Sequence, residues 1–96
     1  MSRRTFIASI TGQPRTVDIH QIARDVSRLT GVSIGEIMGA NRQARIVVPR
    51  HEVMRRANAA GMTLGQIGRA MHRDHTSVLN GINRAKERLN IKEEVK

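Results

Sequence analysis

Eight consecutive residues, His72-Arg-Asp-His-Thr-Ser-Val-Leu79, concentrate the side chains of this chain that are equipped for chemistry. They lie between a short amphipathic stretch, Thr63 to Met71, and a longer one, His75 to Leu89. Asp74 stands where a helix N-cap belongs, because its carboxylate can accept from an unpaired backbone N–H of the first turn. His75, Thr76 and Ser77 then fill that turn with short polar side chains. This is the layout of a helix-turn-helix whose second helix offers its N-terminal residues to base edges in the major groove of duplex DNA. A histidine ring can bond a base edge, and a threonine methyl can pack against a thymine methyl. Other chemistries fit the residues less well. His72, Asp74 and His75 could be taken for a metal cluster, but the two histidines straddle a turn and no third ligand beside them is evident, so no metal site is expected. Gly31-Val-Ser-Ile-Gly35 has the spacing of a nucleophile elbow, but no strand precedes it and 96 residues cannot build the parallel sheet it needs. Ser33 is read as a helix cap.

Composition narrows the partner. Seventeen Lys plus Arg against eight Asp plus Glu leave a net charge of +9, and the pI near 11.8 lies in the range of nucleic-acid binders. The charge is clustered in segments, which favours a polyanion over a merely solvated surface. Phe6 is the one aromatic residue, so the stacking platforms used for single strands are missing and duplex DNA is the expected partner. The chain has no cysteine, which excludes disulfides and thiolate zinc sites and suits a reducing cytoplasm. The opening Met1 to Ile10 is basic, but its apolar run is broken by Ser9, and it is read as an arm rather than an export signal. No run approaches the roughly 18 apolar residues of a membrane span. No enzyme activity, cofactor or small-molecule substrate is expected.

The elements that must hold the cluster follow from helical periodicity. Residues 1–15, with Arg3, Arg4 and Arg15, read as a basic flexible arm. Residues 16–90 read as the DNA-binding domain and 91–96 as a frayed charged tail. Thr16 is expected to cap a first helix with the stripe Ile19, Ile22, Ala23, Val26 and Leu29, ended by Gly31. Ser33 and Glu36 form a capping box for a short second helix. Gly39 to Arg45 reads as a basic loop, with a possible strand near Arg45 to Val48. Pro49 is placed in the first turn of the third helix, which runs through Val53, Ala57 and Ala60 to Gly61. Thr63 and Gln66 box the fourth helix, with Leu64, Ile67 and Met71 inward. The fifth packs through Val78, Ile82, Ala85 and Leu89, with Arg84, Lys86 and Arg88 outward. Met38, Met54, Met62 and Met71 are read as core filler. The class is all-α, a five-helix domain.

With Leu64-Gly-Gln-Ile-Gly68, Pro49-Arg50 and Arg73-Asp-His-Thr-Ser-Val78 in place, the chain from about Thr16 to Leu89 resembles the C-terminal DNA-binding domain of the bacterial replication initiator family, DnaA. The resemblance implies that Asp74, His75, Thr76 and Ser77 face the major groove and that Arg42 enters the adjacent minor groove, with Arg45 as the substitute if the loop register slides. It implies that Arg50 and His51 approach the backbone and groove edge, and that Arg84 touches phosphate. Leu64, Gly65 and Arg73 complete the DNA-facing set. Three departures from the family pattern stand out: His72 replaces a Gly-Gly pair in a shorter turn, Gly65 replaces a frequent proline, and Ala44 replaces a loop arginine.

No Gly-x-x-x-x-Gly-Lys-Ser/Thr phosphate loop occurs, so ATP-driven origin melting is not expected. The chain is similar to small stand-alone relatives of this domain beside prophage-like and gene-transfer-agent clusters. The expected function is sequence-specific DNA binding by a transcription regulator in the cytoplasm, at the nucleoid, with RNA polymerase or another transcription factor as partner. The alternative is a replication modulator at initiator boxes.

Overall fold

A computed structural model describes residues 17–90. The arm assigned to residues 1–15 and the tail assigned to 91–96 lie outside the described residues, as does Thr16. Five helices follow in chain order: α1 (Ile19–Thr30), α2 (Ile34–Met38), α3 (Ala44–Ala59), α4 (Leu64–Met71) and α5 (His75–Leu89). No strand occurs among the described residues, so the all-α class holds. Central α3 packs against α1 and α5, α4 packs mainly on α5, and α2 bridges α1 and α3.

Most boundaries are set by the residues that announce them. The Ser33–Glu36 and Thr63–Gln66 capping boxes both form, each side chain and backbone N–H paired reciprocally. Gly31 ends α1 at φ 76°, a left-handed conformation that glycine adopts without a Cβ clash. Asp18, rather than the expected Thr16, caps α1, accepting from the His20 and Gln21 amides. A carboxylate two residues further in meets the free N–H groups directly.

The largest difference is at α3. It begins at Ala44, so Pro49 sits in its second turn instead of its first, and Arg45 to Val48 is helical rather than extended. The reason is the burial pattern Ile46, Pro49, Arg50, Val53, Met54, Ala57 and Asn58, a helical stripe that includes a proline and an arginine. Asn41 helps to start the helix by accepting from the Gln43 amide at 2.8 Å. At the other end the Asn58 amide group donates to the Met62 carbonyl at 2.9 Å, tying the turn into α4.

The core is formed by Ile37, Ile46, Val53, Ile67, Val78 and Ile82, all with no solvent exposure, around which Met54 and Met71 are also buried. Each large aliphatic contributes about 1.5–3 kcal/mol by leaving water. Met38 and Met62 pack against this core. Two expected core positions are not in it: Leu29 is 71% and Leu89 51% exposed. They lie at the last turns of α1 and α5, where a groove opens between these helices and α3. Lys86, expected outward, is buried.

Candidate nucleic-acid interface

Asp74 is extended (φ −75°, ψ 163°), and its carboxylate accepts from the Ser77 amide at 2.9 Å. That bond holds the Asp74 carboxyl below its ordinary range. His75, Thr76 and Ser77 are exposed while Val78, the next residue, is fully buried. The first turn of α5 is therefore a polar tip standing on an apolar anchor.

The turn before it is tightly built. His72 ends α4 in the left-handed region at φ 57°, ψ 46°, at the position where the resemblance led us to expect glycine. The Arg73 amide donates to Gly68 O at 2.8 Å. A Cβ on Gly68 would lie 2.4 Å from the Arg73 carbonyl oxygen. Gly68 thus permits the backbone of the turn to press against α4.

A second exposed element adjoins the turn. Gly39, Ala40 and Arg42 of the α2–α3 loop line one cleft together with Met71, His72 and Arg73. Arg42 is exposed, and among the described residues no ion pair engages it. Arg45 is exposed but paired with Glu36 at 3.0 Å, and that hydrogen bond is the main cause that lowers the Glu36 pKa.

The expectation for Arg50 needs correction. It is 4% exposed, and its guanidinium donates to Ile37 O at 2.8 Å, Glu36 O at 2.9 Å and Asn41 O at 2.7 Å. In this arrangement the guanidinium is spent on backbone carbonyls at the inner wall of the cleft it shares with Arg42, His72 and Arg73; it caps the last carbonyls of α2, as cations at helix C-termini do. Arg73 is half-buried and donates to Met71 O at 3.0 Å and to Gly39 O. Burial lowers both arginine pKa values, and for Arg50 the nearby Arg73 adds to the effect.

His51 is half-buried, and its pKa is pushed down to about 4, first by burial and then by Arg88, Arg50, Arg84 and Arg73. The neutral ring meets Arg88 Nη1 through its Nδ1 at 3.2 Å, so Nδ1 accepts and the ring proton sits on Nε2. Gly81 makes room for this ring, since a Cβ there would lie 2.9 Å from His51 Cδ2. Leu64 is half-buried, whereas Gly65 at the same helix start is exposed. Arg84 is exposed on α5, about 13 Å along the axis from His75 at the usual helical rise. The sequence reading passed over exposed Arg69, which follows Gly65 by one helical turn on the outer face of α4. Its signal was that i, i+4 spacing.

A capped helix entering at a tight turn, with a polar tip and cations around it, defines a helix-turn-helix DNA-binding domain. The bacterial dnaA protein helix-turn-helix family matches residues 19–85, and this chain belongs to that family. Among its relatives are chromosomal replication initiator proteins DnaA. That of Thermomicrobium roseum is 36% identical over 67 residues, covering 68% of this chain and 14% of the relative. Those of Nitrobacter hamburgensis and Nitrobacter winogradskyi are each 35% identical over 74 residues, covering 75% of this chain and 16% of the relative. The chain thus spans about a sixth or less of the length of these relatives. No solved structure matches it. Among the described residues, no helix is long and apolar enough to cross a membrane.

Proposed function

We propose that this protein is a transcription regulator that reads a short site in duplex DNA with two separate elements. The tip of α5 enters the major groove, where His75 and Thr76 meet base edges and Asp74 and Ser77 set the start of the helix against them. Arg42 enters the neighbouring minor groove, whose negative potential favours an exposed guanidinium. Arg84 and Arg69 meet phosphates, which fix register without reading sequence. Leu64 and Gly65 form the edge of α4 nearest the backbone. Arg45 and His51 lie beside these contacts. The RNA polymerase or a second transcription factor is the protein partner, and the nucleoid is the place of action.

The observation that carries this reading is an exposed, capped polar tip directly following a turn whose His72 and Arg73 share one cleft with the exposed loop arginine Arg42. A mobility-shift series tests it. A selected duplex should bind at least about a thousandfold more tightly than random duplex at moderate salt, the lower bound for specific sites. Equal affinity for all duplexes would end the claim. The names of the relatives support a second reading, a replication modulator that competes at initiator boxes. Genomic footprints at those boxes would favour it, and footprints confined to promoters would favour the regulator.

A further inference from the structure

Arg73 adjoins the proposed base-reading residues, yet its guanidinium points back into the protein. It reaches Gly39 O, 34 residues earlier in the chain, and Met71 O in its own turn. Arg50, beside it, holds Glu36 O, Ile37 O and Asn41 O. Five backbone carbonyls are thereby gathered by two guanidinium groups, and among the described residues no carboxylate pairs with either. Four of these carbonyls, of Glu36, Ile37, Gly39 and Asn41, belong to the end of α2 and the loop that carries Arg42, and the fifth, of Met71, to the end of α4. A five-residue helix is too short to hold its own ends in place. Among the described residues, the side-chain bond that joins that loop to the helix-turn-helix turn comes from Arg73.

We propose that Arg73 is a positioning residue for Arg42: by fastening the α2–α3 loop to the α4–α5 turn it sets the distance between the minor-groove arginine and the major-groove tip. This inference rests on the function proposed above. The planar fork of arginine suits the task, since it donates in two fixed directions, whereas lysine presents a compact charge with freely turning donors.

Lysine therefore separates the two roles. For a latch, Arg73→Lys should weaken binding to the selected duplex about tenfold, roughly as much as Arg73→Met, because both lose the two-carbonyl geometry; one bidentate groove contact is worth about that. The slope of log affinity against log salt should stay at the wild-type value in both variants. For a direct phosphate contact, Arg73→Lys should bind nearly as wild type, and Arg73→Met should flatten the slope by about 0.9. That result would overturn the latch.

A double-mutant cycle with Arg42→Ala adds the coupling. Arg42→Ala should cost about tenfold in the wild-type background, as loss of one groove contact does, and far less in Arg73→Lys. Additive losses would overturn the proposal. Hydrogen exchange of free Arg73→Lys supplies a readout without DNA: the Gly39 and Gln43 amides should exchange faster while the core of α5 keeps its protection. Unchanged exchange would overturn the latch even if Arg73→Met failed to fold. A wild-type protein with no sequence preference would overturn the functional reading and this inference together, whereas a specific protein with an additive cycle would overturn this inference alone.

Discussion

The two ends of α5 are built on opposite terms. At the His75 end the exposed side chains are polar, and the backbone behind them is pinned by arginine-to-carbonyl bonds and by the close approach of Arg73 to Gly68. At the Leu89 end large apolar side chains stand exposed among charged ones: Leu29, Val48 and Leu89 border a groove of about 270 Å³ between α1, α3 and α5, with Glu52, Arg56 and Arg88 among its lining. Arginines hold the architecture at the first end, while leucines are left in water at the second. Burial, and not residue type, decides which side chains fix the fold.

The most damaging test of this contrast is Gly68→Ala. The new Cβ would meet a backbone oxygen at 2.4 Å, which cannot rotate away as a side chain can. A loss of about 3 kcal/mol is expected, the upper end of ordinary overpacking, read as a fall in Tm of more than 10 °C at the usual sensitivity of a small domain. Gly35→Ala is the control, since nothing lies within 4 Å of its added Cβ. It should leave Tm unchanged or raise it slightly. Equal effects at both sites would show that the turn has slack and that the His75 end is not pinned.

The next largest effect concerns the tip itself. His75→Ala and Thr76→Ala should each remove about 1–3 kcal/mol of discrimination between selected and random duplex, with Tm unchanged. Arg84→Ala should weaken every duplex alike and flatten the salt slope by about 0.9. If Arg84→Ala relaxed specificity and Thr76→Ala acted uniformly, the roles assigned to the two positions would be exchanged.

How much of this was legible in the sequence differs between the same two regions. The turn, the Asp74 cap, both capping boxes and the left-handed end of α1 follow from local chemistry, because each depends on residues within four positions of one another. The polar tip was legible for the same reason. The role of Arg50 was not, because its partners lie 9 to 14 residues away, and a cation between Pro49 and His51 looks like a surface residue until α2 is folded over it. The early start of α3 was hidden with it: only when Pro49 and Arg50 count as buried does the stripe from Ile46 to Ala57 become continuous. Leu29 and Leu89 misled in the opposite way. Periodicity states which face of a helix a residue occupies, but not whether a neighbour extends far enough to cover it.

His51 joins the two ends and supplies a pH test. Its pKa is pushed from 6.5 to about 4 on folding, so between those values the unfolded chain binds a proton that the folded protein refuses. Stability is therefore complete above about pH 6.5 and is lost as pH falls toward 4. The lowered carboxyls of Glu36 and Asp74 also lose stabilisation in acid, but they start from 4.5 and 3.8. The window from pH 6.5 to 5 thus isolates the imidazole. Thermal melts of His51→Gln should show a smaller fall in Tm than wild type across that window. Parallel curves would mean that the ring is open to water and protonates freely, detaching it from the packing against Gly81.

The smallest effect is expected at the Leu89 end, and its smallness is informative. Leu29→Ser and Leu89→Ser remove apolar groups that are already 71% and 51% exposed, so each should change stability by no more than about 0.5 kcal/mol, as surface substitutions do. Affinity for the selected duplex should not change, because the groove lies at the other end of α5 from the tip. Glu52 is paired with Arg55 at 2.8 Å and Arg56 at 2.7 Å, within α3 itself. A loss of about 1.5 kcal/mol or more would match the full burial of a leucine. It would show that these side chains are covered in solution, and the end that looks open in the folded domain would then be as closely packed as the turn.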